Sequence, residues 1–408
     1  MGLTILHTAD WHLGKRLYEY DLVEAHHQFL NWLTQLVKSQ KPDYLLISGD
    51  VFDLANPSTE SLRLYYEFLR SMISSSCKII ITGGNHDSAG LLNAPAALLK
   101  EMQIQVFGSA TEKPEDLLVP LHNQSGEIEA IVAAVPFLRD KDLRKSVDIH
   151  QAGDRVEAVR KGIKLWYEIL AMKSAELYQG IPLLGMGHLF VQNAELSDSE
   201  REIQIGNQAS FDLSEFPEDY VYMALGHIHR PQRFGKNGQI RYSGAPIPLS
   251  FSEKGQRKQL EKIELNMDGI SMESIAIPSF FSLEIISGTF SEVLHKIDLL
   301  KNTQTEKQGR VLVEIQIIEK KYDPNVLRNK DELIASINTF DYIKVVNSKV
   351  AFMDQPNIEG FDESAQLNVR ALSPLVVFDK LVENYSDSEK NTLIQAFAEL
   401  LETVEIEG

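Results

Sequence analysis

Five short motifs hold the residues able to do chemistry: Asp10-Trp-His12, Gly49-Asp50, Gly84-Asn-His-Asp87, Gly187-His188 and Gly226-His-Ile-His229. Each follows a segment that reads as a strand, and five of the chain's eleven histidines fall within them. One Asp-x-His or one Gly-His is a weak signal, whereas five such motifs at successive strand ends are a strong one. Asp, Asn and neutral His are ligands for divalent cations, and two cations about 3.5–4 Å apart make a site for hydrolysing phosphoesters. Such a pair calls for one carboxylate shared between the ions, and Asp50 is the natural bridge. Asp10 and His12 stand two apart, on the same side of an extended segment, and can reach one ion together. His227 and His229 repeat that spacing, and Asn85 offers a neutral carbonyl oxygen. A donor set without Cys suits Mn²⁺ or Fe²⁺ as much as Zn²⁺.

The elements that must position these residues alternate. Leu3–Thr8 reads as a strand, Leu22 to Val37 carries apolar residues at helical spacing, and 43–48 is a buried strand. Leu62, Tyr65, Tyr66 and Leu69 mark a helix, Lys78–Thr82 a strand, and 89–100 a further helix. Strands are expected at 130–135, 182–186 and 220–225, with a long helix over about 154–177. This is an α/β pattern, with helices on both faces of a sheet and the site outside the carboxyl ends of the strands. After about Asn266 the pattern changes to a small α+β domain: strands near 273–277, 282–286, 311–318 and 343–348, and helices near 290–300 and 325–337. The expected division is 1–268 for the catalytic domain, 269–353 for the α+β domain, 354–370 for an acidic linker and 371–408 for two amphipathic helices.

Composition limits what the chain can bind. With 40 basic against 58 acidic residues, the net charge of −18 rules out binding a membrane or nucleic acid through bulk charge. Contact with nucleic acid must be local, and residues 301–350, with nine Lys/Arg against seven acids, are one place for it; a solvated face of mixed charge is the alternative. The single cysteine, Cys77, excludes an internal disulfide and suits a reducing compartment. No run of 18 apolar residues offers a membrane span. His7 and Asp10 stand where a signal peptide would keep its apolar stretch, so a cytoplasmic location is expected.

In this order the motifs resemble those of the calcineurin-like metallophosphoesterase superfamily. Longer stretches narrow the resemblance: His7-Thr-Ala-Asp-Trp-His-Leu-Gly14, Gly49-Asp-Val-Phe-Asp53, Gly84-Asn-His-Asp-Ser88, Val135-Pro-Phe-Leu-Arg139, Ala224-Leu-Gly-His-Ile-His229 and Ser243-Gly-Ala-Pro-Ile-Pro-Leu-Ser-Phe251 are similar to the SbcD family of nucleases. The likeness is dense over residues 1–260 and loose beyond, and Ala245 stands where the family's motif has Ser. The resemblance implies a two-sheet metallophosphoesterase sandwich flanked by helices, then an α+β capping domain that embraces DNA, then C-terminal helices that bind the coiled-coil base of the ATPase SbcC.

It also implies two metal ions, most simply Mn²⁺, one held by Asp10, His12, Asp50 and His229 and the other by Asp50, Asn85, His188 and His227. His86 matches the family's catalytic histidine, which is not a ligand and acts on the leaving oxygen or the transition state. Asp87 is expected to orient His86, to cap the following helix, or both. The implied substrates are double-stranded DNA ends, single strands and hairpins, cut by 3′–5′ exonuclease and endonuclease action in DNA repair and recombination. A homodimer through the helices holding Leu62, Tyr65, Tyr66, Leu69, Leu91, Leu92, Leu98 and Leu99, within a heterotetramer, is implied as well. Two other readings compete: a small-molecule phosphodiesterase, and a non-catalytic DNA-end-binding scaffold. The C-terminal helices, net charge −6, either dock on a protein partner or pack back on the chain.

Overall fold

The computed structural model describes residues 2–143, 155–201, 211–266, 269–304 and 309–353, with Leu393 and Phe397. Two six-stranded sheets form its centre. The first runs, in spatial order, Gly269–Ala276, Gln259–Asn266, Leu3–Thr8, Tyr44–Ser48, Lys78–Thr82 and Ile104–Phe107. Its last four strands are parallel, and the first two form an antiparallel hairpin along the edge. The second runs Gln232–Phe234, Ile240–Tyr242, Tyr220–Gly226, Leu183–His188, Ile128–Ala134 and Leu118–His122, with parallel pairing in the middle and antiparallel strands at both ends.

Side-chain alternation explains the layering. Leu3, Ile5, Tyr44, Leu46 and Ile80 share one cluster with Val119, Leu121, Val132, Leu184, Met186 and Tyr222 of the other sheet, so the two sheets pack face to face. The intervening residues Leu6, Leu45, Ile47, Ile79 and Ile81 point the opposite way, against Phe29, Leu33, Leu64 and Phe68 of helices Val23–Gln40 and Thr59–Met72. A strand buried on both faces reads as a continuous apolar run, which is why these strands were legible. Helix Arg155–Leu177 covers the outer face of the second sheet through Trp166, Tyr167 and Leu170. Truncating a fully buried side chain such as Ile47 to Ala would cost about 2–5 kcal/mol.

Beyond the sandwich, Phe281–Gly288, Arg310–Glu319 and Ile343–Phe352 form a three-stranded parallel sheet, with helices Phe290–Thr303 and Pro324–Ile337 as its crossovers. The first helix starts with a capping box between Thr289 and Glu292, the second with Pro324 in its first turn after the Asp323 cap. Phe281, Leu283 and Leu312 join the cluster of the first sheet's helices. A hairpin, Arg16–Leu17 with Tyr20–Asp21, adds polar ties: Tyr18 donates its hydroxyl to Glu314 at 2.8 Å, and Arg310 donates to the Tyr20 hydroxyl at 2.6 Å.

Several expectations need correcting. A boundary at 268/269 falls inside a hairpin, because Gly269–Ala276 pairs along its length with Gln259–Asn266 and so belongs to the first sheet. That strand is half-exposed at the edge and carries little of the apolar signal that marks its neighbours. The helix expected over 89–100 is two, Ala89–Asn93 and Ala96–Glu101, since Pro95 cannot continue the first. Among the residues assigned to a dimer face, Tyr65, Leu69, Leu92 and Leu99 are buried in the chain's own core, while Tyr66 and Leu98 are exposed. The linker and, apart from Leu393 and Phe397, the C-terminal segment expected to form helices lie outside the described residues, as does His150. No helix among the described residues is long and apolar enough to cross a membrane.

Candidate active site and metal centre

The site forms where the carboxyl ends of strands from both sheets meet. Asp10 and His12 follow Leu3–Thr8, Asp50 follows Tyr44–Ser48, Asn85 to Asp87 follow Lys78–Thr82, His188 ends its strand, and His227 and His229 follow Tyr220–Gly226. Leaving a strand abruptly demands unusual backbone: Asp10, His12, Asp50 and His227 all have positive φ, at 54°, 46°, 47° and 99°. Non-glycine residues rarely adopt that region, and such strain is held by surrounding structure at functional sites. Two glycines are required by space as well: a Cβ on Gly49 would collide with the His188 ring, and one on Gly84 with the Asp50 carboxylate.

All seven expected ligands come together. Asp10, His12, Asp50, His188, His227 and His229 are each at most 3% exposed, while Asn85 and His86 are half-buried and open the site to solvent. The Asp50 carboxylate stands between two groups, its Oδ2 lying 3.5 Å from His12 Nε2 and 3.2 Å from His188 Nε2. On one side, Asn85 Oδ1 is 2.9 Å from His188 Nε2 and 3.0 Å from His227 Nδ1. His188 Nδ1 lies 3.0 Å from the Ser48 carbonyl, to which it donates, leaving Nε2 to face the group. On the other side, His12 Nδ1 is 3.1 Å from Asp53 Oδ1, which leaves its Nε2 facing inward. Asp10 accepts the His227 amide hydrogen at 2.7 Å through Oδ1.

The donor set fits divalent cations. Bonds of about 2.1 Å at near right angles put neighbouring ligand atoms ~3 Å apart, the spacing found around Asn85 Oδ1 and Asp50 Oδ2. Asp10 Oδ2 and His12 Nε2 are buried with no hydrogen-bond partner among the described residues, a costly state that a cation relieves. Charge tells the same story. Burial pushes the Asp10 carboxyl up to about 7. Burial also opposes charge on His188, yet Asp50 and Asp10 outweigh it and lift that imidazole to about 9. For His227 burial prevails and takes the ring down to about 3. Bound cations reverse this competition, holding the carboxylates ionised and the imidazoles neutral.

His86 is held from two directions. Its amide donates to Asp50 Oδ1 at 2.9 Å, and its Nδ1 lies 2.7 Å from the Asp53 carbonyl oxygen, so Nδ1 carries the proton and Nε2 is free. Asp87 does not orient that ring, contrary to expectation. Its carboxylate accepts from the backbone amides of Val51, Phe52 and Gly84 at 3.1, 2.9 and 2.9 Å, and these three donors direct it away from the imidazole. Nor is it the helix cap, a role taken by Ser88. Asp87 is thus a positioning residue that pins the Asn85–His86 loop to the Asp50 loop.

Sequence reasoning under-read the shell around these residues. Asp53 supports His12 with its carboxylate and His86 with its carbonyl while pairing with Lys15 at 3.3 Å. Ser199 Oγ is 2.7 Å from His229 Nδ1, and buried Glu200 accepts the His229 amide hydrogen. Glu253 reaches Ser199 at 3.1 Å and pairs with buried Lys258. Two signals were present: Ser197-x-x-Glu200 has capping-box spacing, and Glu253 lies two residues past the proline-rich motif. Trp11 donates to Thr8 Oγ1 and packs edge-on against Phe29 and Phe68, so it buttresses the Asp10 loop. His7 bonds the Tyr222 hydroxyl, and His26 the Trp11 carbonyl, both inside the core.

Residues 3–231 match the model of the calcineurin-like phosphoesterase family. The chain is 30% identical to the SbcD component of the SbcCD nuclease of Escherichia coli K12 over 343 residues, 82% of this chain and 83% of that one. It is 37% identical over 287 residues to the SbcD of Rhodobacter capsulatus, covering 68% and 69%, and 31% identical over 264 residues to that of Bacillus subtilis, covering 64% and 66%. A dimetal phosphatase from Danio rerio superposes only loosely, with a TM-score of 0.42 at 11% identity over 68% of this chain and 97% of that one. The family model over residues 3–231 and the extended identity lead to one conclusion: the chain belongs to the calcineurin-like phosphoesterases and, among them, to the SbcD nuclease family of metal-dependent hydrolases.

Proposed function

We propose that this chain hydrolyses DNA phosphodiesters with two Mn²⁺ ions, as the nuclease component of a complex with an SbcC-type ATPase. The observation that carries the reading is the Asp50 carboxylate standing between two groups of buried donors, 3.5 Å from His12 and 3.2 Å from His188. Asp10, His12 and His229 complete one group with Asp50; Asn85, His188 and His227 complete the other. When bound, the ions supply an activated water and neutralise charge on the phosphoryl oxygens. The chain's own residues do the rest. The buried imidazoles and carboxylates exclude bulk water from all but the Asn85–His86 side, so the phosphodiester enters there. His86, its Nδ1–H fixed by the Asp53 carbonyl, turns Nε2 to the departing oxygen and donates to it in the doubly protonated imidazolium form. Asp87, Asp53 and Ser199 hold the site's loops and rings in place.

The α+β unit, tied to the hairpin after His12 through Tyr18 and Tyr20, is read as the cap that receives DNA. The family resemblance supports duplex ends, single strands and hairpins as substrates, 3′–5′ polarity on duplex ends, docking of SbcC on residues 371–408, and a homodimer within a heterotetramer. The test is manganese-dependent digestion of end-labelled duplex and hairpin DNA beside bis-nitrophenyl phosphate. Cleavage of DNA shortening from the 3′ end is expected. Hydrolysis of the small ester with no cleavage of either DNA would replace this reading with a small-molecule phosphodiesterase.

A further inference from the structure

In a chain of net charge −18, one open cleft of about 720 Å³ is lined by Arg230, Arg233, Lys254 and Arg257, with Gln232 and Gln256 between them and no acidic residue among the described residues of its lining. Its position gives this charge a purpose. One wall begins at Arg230, the residue after the expected ligand His229, and runs into strand Gln232–Phe234. The other wall is the turn from Lys254 into strand Gln259–Asn266, and it is tied to the same ligand: buried Lys258 donates to the His229 carbonyl at 3.3 Å. Both walls are therefore fastened to the backbone of His229.

The cations in it are available. Arg257 is exposed and makes no ion pair among the described residues, and Arg233 bonds a neutral partner, the Ser274 hydroxyl, at 2.7 Å. Arg230 and Lys254 pair with Glu195 and Glu284, but all four side chains are 40% exposed or more. Pairs so open to water are weak and exchange an acidic partner for a phosphate readily. Four cations along one groove, interleaved with amide side chains and with no aromatic ring in the described lining, suit a repeating polyanion rather than a stacked base.

We propose that this cleft binds the sugar–phosphate backbone of the DNA strand next to the phosphodiester being cut, and holds that strand in register with the two ions. The proposal rests on the nuclease reading above and adds the path the substrate takes. It explains how an acidic chain holds an acidic polymer: the attraction is confined to a groove whose walls are fastened to the backbone of His229.

The test compares the full chain with an Arg233→Ala, Arg257→Ala double variant, and with Lys164→Ala on the outer helix as a charge control. Binding of a fluorescein-labelled duplex is followed by anisotropy across a range of salt, and manganese-dependent hydrolysis of bis-nitrophenyl phosphate is measured alongside. The double variant should bind the duplex roughly tenfold or more weakly, and its plot of log affinity against log salt should be shallower by about 1.8, at ~0.9 per lost phosphate contact. The small ester should be hydrolysed at the unaltered rate, and Lys164→Ala should match the parent throughout. Unchanged affinity and slope in the double variant, with the parent still cutting DNA, would overturn the cleft alone. A parent that hydrolyses the small ester but neither binds nor cuts DNA would overturn the nuclease reading and the cleft with it.

Discussion

Asn85, His188 and His227 are held by one another, their donor atoms 2.9 to 3.0 Å apart, whereas Asp10, His12 and His229 are held largely by residues outside their own group. In the first group the amide oxygen of Asn85 gathers two rings, with the Ser48 carbonyl and the shared Asp50 carboxylate as further partners of His188. In the second, His12 leans on Asp53, His229 on Ser199 and Glu200, and Asp10 on the His227 amide, while Asp10 Oδ2 and His12 Nε2 are left without a hydrogen-bond partner among the described residues. A group that satisfies its own hydrogen bonds tolerates the absence of an ion; one with orphaned buried atoms depends on it. On the two-metal reading proposed above, the affinity for one ion resides in the ligands themselves and for the other in the supporting shell.

Variants can break that contrast at graded cost. His86, whose ring nitrogen lies within 4.8 Å of ligand atoms of His12 and Asp50, is proposed to be no ligand, so His86→Ala should lower DNA cleavage by about 10²–10⁴ while both ions remain, as read by single-turnover rates and metal content. A fall in metal content would make His86 a ligand. Asp87→Ala strips the acceptor from three buried amides and should lower stability on the order of 3 kcal/mol or more, read by denaturant unfolding. Its metal loss should fall first on the Asn85 group, whose loop it pins. Asp53→Ala and Ser199→Ala should each weaken the other ion by about 10–100-fold in titration and leave its neighbour alone. Equal weakening of both would erase the distinction. The smallest effect is expected from Tyr18→Phe, which removes one hydrogen bond to Glu314, at about 1 kcal/mol of unfolding stability.

Much of this molecule was legible because its signals are local. Strands such as Tyr44–Ser48 are buried on both faces and read as apolar runs, and a glycine near most of the candidate ligands marks the strand end. What escaped is what depends on distant partners. Asp53 meets His12 across 41 positions and Ser199 meets His229 across 30, with no periodicity to betray either. Asp87 looked like an imidazole's partner because it adjoins His86 in sequence, yet its hydrogen bonds reach a loop 35 positions away. Gly269–Ala276 was assigned to the wrong unit because a half-exposed edge strand has no apolar run to count.

Metal counting on purified variants tests the shared role of Asp50 most directly. Wild-type chain loaded with Mn²⁺ and freed of excess should carry two ions, Asn85→Ala should carry one, and Asp50→Ala none, because Asp50 faces both groups. Two ions retained by Asp50→Ala, with the fold intact by circular dichroism, would contradict the account.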